Sequence, residues 1–95
     1  MNLNIETLDK AITTWGVEAQ LDIVIEECLE LALALQKMKR KRGDPEKKLF
    51  NAIDETADVI IMSRRASRIF GDDVVNKRIE FKMNRLEERI KEGTV

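Results

Sequence analysis

The sequence contains no histidine and no tyrosine, and it has one cysteine and one proline among its 95 residues. Without histidine, neither a Ser-His-Asp nor a Cys-His nucleophile can form, and the Glu-x-x-His ligands of ferritin-like di-iron bundles are missing. Any metal site must therefore use oxygen ligands, which suit Mg²⁺, Mn²⁺ or Ca²⁺. The single Cys28 excludes an intramolecular disulfide, suits a reducing cytoplasm and is expected to pack in the core.

The sequence also lacks a long apolar segment and an excess of charge of one sign. Its most apolar stretch is interrupted by Glu26, Glu27 and Glu30, which argues against a membrane span, and the N-terminus has no signal-peptide pattern. Charged residues make up 37% of the chain, but the net charge is −1. We therefore expect neither membrane nor nucleic acid as a partner, and a single cytoplasmic domain over residues 1–95.

Hydrophobic periodicity and end signals predict four helices. The predicted segments are residues 5–15, about 18–39, 45 to about 70, and a last one capped by Asp72 or Asp73. Gly16 and Gly71 are expected stops, and Asp44-Pro45 is a start signal. Short connections make successive helices antiparallel neighbours, so the predicted fold is an all-α four-helix bundle. Because a chain of this length buries only a modest core, we expect a homodimer or homotetramer.

One pattern of acids occurs twice, 28 residues apart, in the second and third predicted helices. The two sets are Glu26, Glu27 and Glu30, then Asp54, Glu55 and Asp58. At about 100° per residue each set forms one stripe on its helix. Residues 23–35 are otherwise apolar, which predicts that the second helix is buried and that its glutamates line a cleft.

Clustered carboxylates in an apolar setting need a counter-charge. Two of them about 5 Å apart repel by roughly 3 kcal/mol at an effective dielectric constant near 20. Hard divalent cations bind such oxygen sites, and Mg²⁺ keeps positions free for water and substrate phosphates. The predicted cofactor is therefore Mg²⁺, with Mn²⁺ as a substitute, and a solvated acidic face is the alternative.

The motif Glu27-x-x-Glu30 followed by Glu55-x-x-Asp58 resembles the signature of MazG-type nucleotide pyrophosphohydrolases, within the all-α NTP pyrophosphatase superfamily. The resemblance spans nearly the whole chain. It implies hydrolysis of a nucleoside triphosphate between its α and β phosphates, giving a monophosphate and pyrophosphate. By this similarity the four acids are Mg²⁺ ligands, and the catalytic residues are Glu27 and Glu26, which orients or deprotonates the attacking water. A non-catalytic helical module for dimerisation or cation binding is the alternative.

Flanking residues also look like those of the small, often phage-encoded members of this family. They are Trp15-Gly16 with Gln20 upstream, and a downstream segment that carries Lys82 and Arg85. The resemblance implies that Lys82 and Arg85 bind the triphosphate. The functional interpretation of Trp15 and Gln20 is that Trp15 stacks on the base from the rim of the cleft and Gln20 contacts the base edge. The alternatives are packing of Trp15 in the core or an interface, and surface ion pairs for the two cations.

Five cations crowd the end of the second predicted helix: Lys37, Lys39, Arg40, Lys41 and Arg42. Cations at this end are stabilised by the helix dipole, which favours a solvated helix terminus. Contact with nucleic acid is the alternative interpretation.

Overall fold

The computed structural model describes residues 1–93 and consists of four α-helices. They are α1 (Ile5–Trp15), α2 (Val17–Lys39), α3 (Pro45–Phe70) and α4 (Asp72–Glu92). No strand occurs within residues 1–93. The predicted all-α class is confirmed, and the helix bounds agree with the sequence-based ones to within about a residue.

Local chemistry sets most of the helix ends. The side chain of Asn4 accepts a hydrogen bond from the backbone N–H of Thr7 and caps α1. Gly16, at φ +88°, is the only residue between α1 and α2, and glycine takes this conformation without a steric penalty. Asp44 caps α3 by accepting from the backbone N–H of Glu46 at 3.0 Å, as its position before Pro45 predicts.

The start of α4 differs from the prediction that an aspartate caps it. The N-cap is Gly71, which makes no side-chain cap hydrogen bond, and Asp72 is the first helical residue. The carboxylate of Asp72 is occupied elsewhere, since it accepts from the Ser67 hydroxyl at 2.5 Å and from Arg68 and Arg64 at 2.9 and 3.3 Å. These donors on α3 compete with the backbone for Asp72, which is why the predicted cap is wrong.

Arg68 joins three helices through its guanidinium group. Its Nε and Nη2 donate to the two carboxylate oxygens of Asp9 on α1 at 2.8 and 2.6 Å, and its Nη1 donates to Asp72 on α4. Hydrogen bonds from Ser67 and Arg68 lower the pKa of Asp72 to about 2, and the bond from Arg68 lowers the pKa of Asp9. This network fixes α1 and the start of α4 to the end of α3.

The core of the chain is small and lies mainly between α2 and α3, which share the most extensive helix–helix interface. Its buried residues are Leu8, Ala11, Gln20, Ala34, Ala52 and Met62. On α2, Gln20 and Ala34 are the buried residues, and together with the half-buried Glu27 they are spaced by seven residues. Side chains seven apart lie on one face of a helix, so this line of α2 is covered. Four other apolar residues of α2 are half-buried as well: Leu21, Ile23, Val24 and Leu31.

Much of the rest of α2 is exposed, which contradicts the prediction of a helix buried on all sides. Leu29 is 66% exposed, Ile25 and Leu33 are also exposed, and Cys28 lies at the surface instead of in the core. The reason is that α4 contacts α3 alone and leaves the other faces of α2 without cover. Likewise, no residue of α4 itself is buried.

The chain is extended for its length. Its radius of gyration is 16.2 Å, whereas a compact domain of 95 residues has one of about 12 Å. Within residues 1–93, no helix combines the length and the apolar character that crossing a membrane requires.

Candidate metal centre

Three of the predicted metal ligands meet between α2 and α3. Glu27, Glu55 and Asp58 each offer a carboxylate oxygen, and these oxygens lie within 4.8 Å of one another. All three side chains are half-buried. Glu27 belongs to the covered line of α2, and Glu55 and Asp58 stand one turn apart on α3, so each helix presents its acids to the other.

The cluster of Glu27, Glu55 and Asp58 contains no cationic side chain, and the pKa values of two of its carboxyls are raised. Burial, followed by the negative charges of Glu30 and Asp58, raises the pKa of Glu27 to about 7. Burial and the same two neighbours also raise the pKa of Glu55. One carboxylate oxygen of Glu27 and one of Glu55 are buried, and neither has a hydrogen-bond donor among residues 1–93.

These features fit a hard divalent cation. The donor set contains only oxygen, which Mg²⁺ and Mn²⁺ prefer, and a cation would satisfy the two unpaired buried oxygens. Acidic groups of this kind also occur without a metal. If the three carboxylates were exposed, a solvated face would explain them equally well. It does not explain why one oxygen each of Glu27 and Glu55 is buried; these oxygens need either a proton shared between the two carboxyls, which are close enough to hydrogen-bond, or a cation.

The remaining acids of the two motifs surround this group. Glu30, the fourth predicted ligand, is exposed and lies outside the group of three, although its charge raises the pKa of both Glu27 and Glu55. Glu26, the predicted water-activating residue, is exposed on α2. Asp54 is exposed as well, and its charge contributes to the raised pKa of Glu55.

Gln20 is fully buried and does not lie on an exposed rim. Its Oε1 accepts a hydrogen bond from Nη1 of Arg65 on α3 at 2.8 Å, while its Nε2 has no partner among the described residues. Trp15 is 61% exposed, and together with Arg65 and Lys10 it lines an open cavity of about 260 Å³. Gln20 is thus buried and hydrogen-bonded to Arg65, whereas Trp15 lies at the edge of a cavity.

Arg65 was not singled out by the sequence, although a spacing signal was present. Glu27 follows Gln20 by seven residues on α2, and Arg65 follows Asp58 by seven residues on α3. Seven helical residues span about 10 Å and return to nearly the same face. The Gln20–Arg65 pair therefore lies on the same inner faces as the acids, about two turns away.

Lys82 and Arg85 are exposed on α4. Neither forms a salt bridge within residues 1–93, and α4 has no contact with α2. The single chain therefore does not bring these two predicted phosphate-binding residues to Glu27.

The chain matches no protein-family model, no curated protein and no solved structure. These comparisons therefore show no family for the chain. The resemblance to MazG-type pyrophosphohydrolases stays a hypothesis drawn from the two acidic motifs and the flanking tryptophan, glutamine and cations, and the structure brings Glu27, Glu55 and Asp58 of those motifs together.

Proposed function

We propose that this protein is a Mg²⁺-dependent nucleoside triphosphate pyrophosphohydrolase of the MazG type, which cleaves between the α and β phosphates to give a monophosphate and pyrophosphate. The observation that carries the proposal is the meeting of Glu27, Glu55 and Asp58 on two helices, with two buried oxygens that lack donors. Such a group is costly without a counter-charge, and a phosphate-handling metal site makes use of it.

In this proposal the acidic residues of the two motifs have different roles. Glu27, Glu55 and Asp58 hold the cation, and Glu30 at the exposed edge completes the ligand set. When bound, Mg²⁺ or Mn²⁺ supplies charge neutralisation for the phosphates and Lewis-acid activation. Glu26 is exposed to solvent on the same helix, where it orients the attacking water and accepts its proton.

The Trp15 cavity is the proposed base site. A substrate whose triphosphate lies at the acids and whose axis follows α2 would place its nucleoside about 10 Å away, near Arg65. Trp15 is exposed enough to stack on a base, and Arg65 offers hydrogen-bond donors. Gln20 is buried, so it acts as a positioning residue that holds Arg65 by the 2.8 Å hydrogen bond.

We further propose that α2 and α3 form an antiparallel pair that carries the metal site. The support is the order of their contacts: Gln20 meets Arg65, and seven residues later Glu27 meets Glu55 and Asp58, which come earlier on α3. Rising numbers on one helix thus accompany falling numbers on the other. The repeated acidic motif would then face itself across the helix pair.

A homodimer or homotetramer is the proposed functional form. The accessible surface is 7771 Å², whereas a compact monomer of 11.0 kDa has about 5,600 Å². The excess of about 2,100 Å² per chain, or about 4,200 Å² for two copies, lies in the range that obligate homodimer interfaces bury. Large apolar side chains are exposed on three helices, among them Ile25, Leu29, Phe50, Ile53, Leu86 and Ile90. A second copy would cover them, and we propose that Lys82 and Arg85 reach a bound triphosphate in that assembly.

The test is release of monophosphate and pyrophosphate from a panel of ribo- and deoxyribonucleoside triphosphates, with Mg²⁺ or with EDTA. Asp58→Asn and Glu30→Gln should each reduce turnover by more than about 100-fold while leaving helicity unchanged. Asp73→Asn is the matched control, because it makes the same chemical change at an exposed position on α4. Wild-type rates in both ligand variants would refute the proposed site.

A non-catalytic module for dimerisation or cation binding is the second candidate, and the exposed apolar side chains favour it. The same nucleotide panel separates the two functions. Self-association and Mg²⁺ binding without turnover of any nucleotide would favour the module.

A further inference from the structure

The charge of the chain is segregated along its helices. Residues 37–48 contain seven Lys and Arg residues but two acids, which gives them a net charge of +5. The six acids of the two motifs carry −6, and the charges of all other residues cancel. The net charge of −1, from which no nucleic-acid partner is expected, therefore averages over an acidic centre and a basic end.

The basic end has a defined backbone because Lys48 organises it. The Nζ of Lys48, in the first turns of α3, donates to the carbonyl oxygens of Arg40 and Arg42. Gly43 follows at φ +84°, and Asp44 then caps α3. One cation thus satisfies two carbonyls of the connecting segment and leaves the neighbouring side chains on a fixed framework.

Three consecutive cations line a concave surface on this framework. Arg40, Lys41 and Arg42 surround an open space of about 480 Å³, and all three are exposed. None of the salt bridges found within residues 1–93 includes any of them. We call residues 37–48 the basic loop surface.

The helix dipole explains only part of this charge. It stabilises cations in the last turn of α2, where Lys37 and Lys39 lie. Lys41 and Arg42 lie beyond the helix, and Lys47 lies in the first turn of α3, where the dipole disfavours a cation. These cations are exposed, so water and salt screen their repulsion, and a bound polyanion would relieve what remains of it.

We propose that the basic loop surface binds the phosphate backbone of duplex nucleic acid without reading its sequence. Arginine and lysine contacts to phosphate supply this kind of binding. Residues 37–48 contain no aromatic side chain on which the bases of a single strand could stack. Met38 is the one large apolar side chain within residues 37–48, which gives little apolar area to enter a membrane, so a lipid surface fits less well.

This surface is separate from the proposed metal centre. Lys37 follows Glu27 by ten residues on α2, about 15 Å along the helix, and Lys48 precedes Glu55 by seven residues on α3, about 10 Å. Binding of nucleic acid should therefore require neither Mg²⁺ nor the acidic residues.

The experiment measures fluorescence anisotropy of a labelled 20-base-pair DNA duplex of arbitrary sequence, at about 50 to 200 mM NaCl and in EDTA. With three to four phosphate contacts, the affinity should fall about 40- to 150-fold over that range, because each contact adds about 0.9 to the logarithmic salt dependence. The variant Arg40→Gln/Lys41→Gln/Arg42→Gln should bind at least ten-fold more weakly and show a smaller salt dependence. Lys48 is kept, so the connecting segment stays ordered, and circular dichroism verifies folding.

The matched control is Lys77→Gln/Arg89→Gln/Lys91→Gln, which removes the same charge from α4. It should bind within about two-fold of wild type, as should Asp58→Asn. Absence of binding at 50 mM NaCl, or equal losses in both triple variants, would overturn the proposal. So would tighter binding to vesicles containing phosphatidylserine than to the duplex, which would make the surface a membrane contact.

Discussion

Mg²⁺ should stabilise the protein at pH 8 and do so much less at pH 6, because a proton competes with the cation for Glu27. The pKa of this carboxyl is raised from 4.5 to about 7 by burial and by the surrounding acids. In the absence of metal, folded Glu27 therefore holds its proton more tightly than unfolded Glu27. The resulting stabilisation is fully present below pH 4.5 and is lost as the pH rises through about 7. Bound metal should reverse this trend.

The size of the effect follows from the fraction of Glu27 that is ionised. With a pKa of about 7, roughly a tenth is ionised at pH 6 and roughly nine tenths at pH 8, so the apparent metal affinity should differ about ten-fold. At a Mg²⁺ concentration about ten times the dissociation constant at pH 8, stabilisation is about 1.4 kcal/mol. The same concentration at pH 6 gives about 0.4 kcal/mol. For a domain of this size these values correspond to increases in Tm of about 6–11 °C and 2–3 °C.

The assay is differential scanning fluorimetry or calorimetry over a Mg²⁺ titration at pH 6, 7 and 8, with Mn²⁺ in parallel and NaCl matched for ionic strength. Glu27→Gln should raise the Tm without metal at pH 8, since it removes a buried like charge, and should abolish the response to Mg²⁺. The reasoning would be refuted by a Tm that Mg²⁺ leaves unchanged at pH 8. An equal increase at pH 6 and pH 8 would show that no proton on Glu27 competes with the metal.

Three further predictions concern the fold and the assembly. Arg68→Ala should lower the Tm at neutral pH, because it breaks the connection of α3 to α1 and α4. The difference in Tm between this variant and wild type should become smaller as the pH falls from about 4 towards 2, where Asp72 takes up its proton. Ala34→Leu should cost about 1–3 kcal/mol in urea unfolding because Ala34 is 2% exposed, whereas Ala19→Leu at an exposed position should stay within about 0.5 kcal/mol. Leu29→Glu should convert the assembly to smaller species in analytical ultracentrifugation while helicity is retained; an unchanged mass would exclude that part of α2 from the interface.

The helices could be predicted closely because their ends depend on neighbouring residues. Glycine at 16 and Asp44-Pro45 act within one turn of chain, and the structure ends and starts helices there. Asp72 is the exception: its carboxylate is taken by donors one turn back on α3. A cap prediction considers only the hydrogen bond from the nearby backbone N–H groups to the aspartate, and does not include competing side chains from the preceding helix.

Burial could not be predicted in the same way, because it depends on which helices meet. An apolar α2 indicates only that its side chains need cover, and does not say whether the cover comes from the same chain or from a second copy. Arg65 was missed for a related reason: its importance lies in its pairing with Gln20, 45 residues away. Only the register between α2 and α3 reveals it.

The covered line of α2 sharpens the case for the acidic site. In the sequence, the three glutamates form one stripe with no difference between them, and the apolar residues around them predict that α2 is buried on every side. The structure buries one line, Gln20–Glu27–Ala34, so of the three glutamates only Glu27 has a side chain that faces α3. Its raised pKa and unpaired oxygen follow from that position, and Glu26 and Glu30 remain at the solvent edge. This line is thus enclosed by the chain itself, while Ile25, Leu29 and Leu33 on other faces of α2 are exposed. If α2 served only for association, we would expect its apolar side chains to be buried in preference to its acids. The enclosed carboxylates therefore favour a metal site over a purely structural role.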